Sequence, residues 1–324
     1  MKNIDNNIVK DEIYGNFTLE PVLIDLINSK AIQRLKNIHQ GGATFLINDK
    51  YNVTRFEHSI GVMLLVNSLG GSLEEQIAAL LHDVSHTAFS HVIDYVFDNR
   101  NEDYHENIFD KIIENSDIPD ILRKYNMNYK KIMNGNNFIL EASLPKLCAD
   151  RIDYTLRDMI NTNIISLNEA HMFLKSLVIH NETICINNLE MAKWFTNIYY
   201  KEVIDYFLEP LSVFANDSIV KIIKEALDEN IIDYNSFLLD DYSLLNIIKN
   251  SKLKDKLLNI NPSVALVHDE VNFDIHMKNK VRVIDPNVLI NGEIFKASDL
   301  SNNIKEINKN ALDKATKGIF LRIV

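Results

Sequence analysis

The chain has 324 residues, 46% hydrophobic and 24% charged, with a formal net charge of −11, the make-up of an ordinary globular protein of one large or two smaller domains. The acidic balance argues against a broad surface for nucleic-acid backbone, although a few convergent cationic side chains can still reverse the field inside one cleft. No apolar run approaches the ~20 residues of a membrane span, and the opening stretch MKNIDNNIVKDEIYG lacks the apolar centre of a secretory leader, so a cytoplasmic, non-membrane protein is expected.

Read in chain order, residues 25–220 are mostly helical. FEHSIGVMLLVNSLGG is an apolar helix that should stop at Gly70-Gly71. Ser72 and Glu75 make a capping box, and Ile77, Ala78, Leu80 and Leu81 place His82 near the end of a buried helix. A further helix is expected through LPKLCADRIDYTLRDMI, with Pro145 in its first turn. Helical pattern continues over 190–228. Near residue 260 the texture changes: VALVHDEVNFDIHM and KVRVIDPNVLI have strand character, and Asn291-Gly292 is a hairpin signal. The expected fold is mainly α, with a helical core over 1–220 and a smaller α+β region over 221–324. The latter's segment VRVIDPNVLINGEIF has too few strands for an independent sheet, so it should pair with the core or with another copy.

Cys148 and Cys185 form no paired motif and are expected as reduced thiols. With nine glycines and no G-x-x-x-x-G-K-[ST], phosphate would have to be handled by side chains or by a metal. Six of the ten histidines, His39, His58, His82, His86, His91 and His105, fall within residues 39–105. That crowding points to a metal or catalytic centre. His58, the His82-Asp83 pair and a later helical aspartate would offer a mixed nitrogen and oxygen set suited to Mn, Fe, Mg or Zn. Asp150 is the best fourth ligand, because Asp150, Tyr154 and Asp158 share one helix face. Asp153 with Arg157 reads as a surface ion pair.

His58, His82-Asp83 and Asp150 stand in the contexts TRFEHSIGV, LLHDVSHTAFSH and ADRIDYTLRD. With AIQRLKNIHQ and the Tyr104-His105-Glu106 triplet, they resemble the HD superfamily of metal-dependent phosphohydrolases over roughly residues 25–220. Within it, the sequence most resembles the deoxynucleoside triphosphate triphosphohydrolase branch. The resemblance implies one divalent metal on His58, His82, Asp83 and Asp150. It implies His105 as the catalytic histidine beside the leaving oxygen, with Glu106 next to it, His86 and His91 facing the α-phosphate, and Asp94 behind them. Arg55, Arg151 and Tyr154 would contact the triphosphate, and Gln40 and Asp158 the sugar 3′-hydroxyl. A homodimer or homotetramer is also implied.

Three departures from that branch stand out. Gly41 follows Gln40 where relatives have Leu, Arg151 stands where close relatives often have Lys, and Tyr199-Tyr200-Lys201 keeps only the Tyr of a Tyr/His motif. In relatives the residue after the Gln, with the Tyr matched by Tyr199, crowds the sugar 2′ position. Gly41 should therefore weaken discrimination against ribonucleotides. The leading expectation is hydrolysis of a dNTP to deoxynucleoside and triphosphate. The alternatives are an HD nucleotidase or phosphodiesterase acting on another phosphoester, with a second metal on His86, His91 or His105 if binuclear, and a catalytically quiet nucleotide-binding module.

Overall fold

The computed structural model describes residues 7–278 and 280–324; Met1–Asn6, part of the stretch read for a leader, lie outside the described residues. The helix Arg55–Ser68 opens on a reciprocal box between Thr54 and Glu57 and closes at Leu69, where Gly70 turns the chain at φ 83°. The Ser72–Glu75 box opens the helix Leu73–Leu81 and leaves His82 at its C-cap, as the sequence predicts. The helix Ala149–Asn161 begins later than expected. The Ile139 and Leu140 carbonyls take the Ala149 and Asp150 amides, fixing the helix start there, and Pro145 lies in the turn ahead of it rather than in its first turn.

The helices that carry His58 and Asp150 pack closely because Gly61 has no side chain. A Cβ there would come within 2.0 Å of Arg157 Nη2 and Asp153 Oδ1. Among the described residues there are two large apolar cores, and a small third one lies under the C-terminal strands. The first gathers the three helices just named with Leu189–Tyr200; the second packs Ala88, Phe89, Val92 and Val96 against the helices Pro210–Asp228 and Asp241–Lys249. Val84 belongs to the first core and Phe89 to the second. The segment HDVSHTAFSH therefore runs along the seam between them, which is where a cleft can open.

The two strands of VRVIDPNVLINGEIF join the core, one of the two outcomes expected for that segment. Leu177–Ile179 and Ile184–Ile186 pair antiparallel, Asn287–Ile290 adds parallel to the latter, and Glu293–Lys296 closes a four-stranded sheet. Asn291 and Gly292, at φ 52° and 87°, make the hairpin turn. A second sheet places Ile319–Ile323 between Leu266–His268 and Ile275–Met277. The expected division at residue 220 falls inside the helix Pro210–Asp228, so the chain crosses it as continuous helix. The protein is mainly α with small sheets. Among the described residues, no helix is long and apolar enough to cross a membrane.

Candidate active site

The cleft along the seam is lined by His58, His82, Asp83, His86, His91, His105, Glu106, Asp150, Arg151, Tyr154 and Asp158, with Gln40 and Arg55. Nearly every residue singled out from sequence therefore converges on one place. Asp94 and Tyr199 sit behind it. Asp94 accepts from His91 Nδ1 (3.0 Å), Asn99 and the Tyr104 amide, and so ties the His91 turn to the helix that starts at Tyr104. Tyr199 is buried and touches the cleft only through the Tyr154 hydroxyl, at 3.3 Å.

His58, His82 and Asp150 bring one ligand atom each within 4.8 Å of one another. The tautomers are set from behind. His58 Nδ1 lies 2.8 Å from Asp153 Oδ2, and His82 Nδ1 lies 2.7 Å from the Ala79 carbonyl, so both Nε2 atoms face the cleft, that of His58 lying 3.1 Å from Asp150 Oδ1. His82 Nε2 is buried and has no hydrogen-bond partner; it lies 3.5 Å from Asp83 Oδ1 and 3.7 Å from Asp150 Oδ1. An orphaned imidazole nitrogen facing two carboxylates fits a divalent cation. Asp83 stands between this group and the next. Its Oδ2 accepts from Arg55 Nη1 at 2.7 Å, and its Oδ1 lies 3.2 Å from His86 Nε2.

Titration follows from these contacts. Burial pulls the His58 imidazole down, but the hydrogen bonds it donates to Asp150 and Asp153 outweigh it and push the group up to about 10. Burial raises the Asp150 and Asp83 carboxyls; the facing histidines hold Asp150 far below the usual range, and Arg55 with His82 does the same for Asp83. His86, His91 and His105 form a second group with ligand atoms within 4.8 Å. His86 and His105 stack at 3.9 Å, and His91 stands edge-on to both. Burial and the neighbouring His91 push His105 down to about 4.

Asp153 corrects the sequence reading. It is no surface partner: it is 0% exposed, holds His58, and pairs with Arg157, which also reaches Asp11 at 3.0 Å. Its i, i+4 relation to Arg157 is the same at a surface and in a core. The signal that separates them is Gly61 on the facing helix. Arg151 turns to the Lys146 and Ala142 carbonyls rather than to Asp150. His39 serves the scaffold: it is bound to Asp241 at 2.8 Å and stacked on Phe45 at 3.7 Å. Lys280 and Arg282 also line the cleft, and Arg282 is paired to Glu102 at 2.5 Å; no local pattern in the sequence marks either.

The HD domain family model matches residues 55–158. The chain is 46% identical to the YdhJ protein of Bacillus subtilis over 98% of its length and 99% of that protein. It is 30% identical to the metal-dependent phosphohydrolase cns2 of Cordyceps militaris over 89% of its length and 87% of that protein. It is also 37% identical to the deoxynucleoside triphosphate triphosphohydrolase SAMHD1 of Danio rerio, over 28% of the chain and 17% of that enzyme.

Proposed function

From a chain that belongs to the HD-domain metal-dependent phosphohydrolases, we propose hydrolysis of a nucleoside 5′-triphosphate at the α-phosphorus, with dNTPs as the first substrates to try. The observation that carries the reading is the pair of donor groups joined through Asp83 and opening into one cleft. His58, His82, Asp83 and Asp150 would hold one divalent cation. When bound, the cation polarises a phosphoryl oxygen and acidifies water.

The side chains do the rest. Arg55 spends two of its five donors on Asp83 and Ser90, leaving others for phosphate oxygens. His86, His91 and His105 face the same space. An anionic phosphate between them stabilises the imidazolium and raises His105 from about 4. Substrate binding thus loads the proton that His105 gives to the departing sugar oxygen. Gln40 Nε2 lies 3.5 Å from Asp158 Oδ2 at the far side, where a sugar hydroxyl would bond.

One observation favours a second reading, a nucleoside monophosphatase. Among the described residues, six carboxylates line the cleft against four basic side chains. Even with a dication added, that balance suits a small anion better than a triphosphate. Incubation with Mn²⁺ or Mg²⁺ and a nucleotide panel, separating triphosphate from orthophosphate, decides. Triphosphate release supports the first reading and orthophosphate alone the second. No turnover with any metal would leave a quiet nucleotide-binding module.

A further inference from the structure

The stretch between the strands Ile275–Met277 and Asn287–Ile290 is tied down on two sides of the cleft. On one side the Ile284 amide donates to the Tyr200 hydroxyl at 3.2 Å, and the Asp285 amide to the Pro145 carbonyl at 2.8 Å. On the other, Lys280 Nζ donates to the Asn101 carbonyl at 3.1 Å and Arg282 Nη2 to Glu102 at 2.5 Å. Asn101 and Glu102 lie just ahead of the helix that carries His105. A distant part of the chain thus sets two cations on the cleft lining.

The Arg282 guanidinium is held in one orientation. Its anchor, Glu102, is buried, accepts from the Tyr95 hydroxyl at 3.1 Å, and has a left-handed φ of 56°, a conformation that a non-glycine residue keeps only when its surroundings enforce it. Burial raises the Glu102 carboxyl, but Arg282 and His91 outweigh burial and hold it below its ordinary value. Phe207 lies 5.7 Å from the guanidinium, and Nη1 reaches the Lys280 carbonyl at 3.3 Å. Two of the five donors are engaged; among the described residues the rest, Nε included, have no hydrogen-bond partner. Arg151 differs, because it commits both terminal nitrogens to the Lys146 and Ala142 carbonyls.

We infer that Arg282, seconded by Lys280, binds the phosphate that follows the reacting one, the role that the sequence resemblance gives to Arg151. This rests on the nucleotide reading above and makes its substrate a polyphosphate rather than a monophosphate. The reacting phosphate belongs with the metal ligands and the three histidines, and Arg55 stands there, bonded to Asp83. Arg282 is fixed by contacts outside that group, so the anion it meets is a further one on the same chain. A planar fork preset on a carboxylate suits phosphate, since its remaining donors are already ordered. Glu102 then acts as the anchor of the fork rather than as an opponent of the substrate.

Calorimetry at constant free Mg²⁺ compares inorganic tripolyphosphate with orthophosphate in wild type, Arg282→Gln, Lys280→Gln and Arg151→Gln. Arg282→Gln is expected to weaken tripolyphosphate by roughly 10–100-fold and to leave orthophosphate as it was. Lys280→Gln and Arg151→Gln should each weaken tripolyphosphate less. Arg282→Lys should recover only part, because a point charge does not replace the fork. Should Arg282→Gln fail to fold, the unaltered protein gives the answer: tripolyphosphate should shield Arg282 from phenylglyoxal, read by peptide mass spectrometry, and orthophosphate should not. Wild-type tripolyphosphate affinity in Arg282→Gln, an equal loss for both anions, or labelling of Arg282 untouched by tripolyphosphate would overturn the inference. The binding needs no turnover, so the reaction is judged separately. A nucleotide panel that yields orthophosphate alone, or nothing, overturns the reaction, while the tripolyphosphate measurements alone decide Arg282.

Discussion

Replacing Asp153 by Asn tests the metal centre without touching a proposed ligand. The carboxylate accepts from His58 Nδ1 at 2.8 Å and from Arg157 at 2.8 and 3.1 Å, with no exposure to water. The amide keeps the volume but loses the charge, and it can present an N–H where His58 needs an acceptor. The imidazole then loses the contact that turns Nε2 toward the cleft. Changes of this kind cost about 10–100-fold in metal affinity, or about 1.4–2.7 kcal/mol. Asp153→Ala should be worse for folding: it strands the Arg157 guanidinium with Asp11 alone, and breaking a buried pair costs about 3–5 kcal/mol. Calorimetric titration of the metal-free protein with Mn²⁺ measures the first effect and thermal unfolding the second. Wild-type Mn²⁺ affinity in a folded Asp153→Asn protein would refute the orienting role.

Four more outcomes are expected. His82→Ala and Asp150→Ala should each purify with depleted metal, and because His58 without an ion is held up to about 10, wild-type metal affinity should rise with pH toward that value as the competing proton leaves; full metal content in both variants, or affinity flat between pH 6 and 9, contradicts the ligand set. His105→Ala should lower kcat by roughly 10²–10⁴ with metal content unchanged, and near-normal turnover would remove it from the mechanism. Glu202, fully buried, faces the Asp158 carboxyl, which burial pushes up to about 6, and burial with the neighbouring Asp158 raises Glu202 in turn; both groups have raised folded-state values, so their stability contribution is present at low pH and lost as pH rises through the folded values. Glu202→Gln should therefore stabilise the protein at pH 8 and not at pH 4 in calorimetric unfolding. Light scattering should report a dimer or tetramer, and a monomer across a wide concentration range would rule that out.

Much of the cleft is legible in the sequence because its parts are local. The capping boxes at Thr54 and Ser72 fix where two helices begin, and the turn of each helix then aims His58 and His82. The crowding of histidines between 39 and 105 is visible without a fold, although His39 went to the scaffold. What stays hidden depends on distance along the chain. Asp153 looks like half of an ordinary i, i+4 pair until Gly61 brings the facing helix against it. Arg282 belongs to a stretch with no pattern of its own and reaches Glu102 across 180 positions. A pocket beside Gly41 draws its lining from residues as far apart as Gln40 and Arg282. The parallel pairing of Ile184–Ile186 with Asn287–Ile290 likewise has no counterpart in local periodicity.

That pairing bears on how the protein is made. Cys185 meets Asn287 and Ile186 meets Val288, and the stretch just before this strand carries Lys280 and Arg282 to the cleft. During synthesis His58, His82, Asp83 and Asp150 emerge from the ribosome long before these two cations do. A nascent chain can assemble the group of ligands while its basic wall is still unmade, and the contact that completes the wall is a slow, long-range one. The growing polypeptide thus acquires its group of ligands, with Arg55 and Arg151 beside it, well before Lys280 and Arg282 complete the basic lining of the cleft.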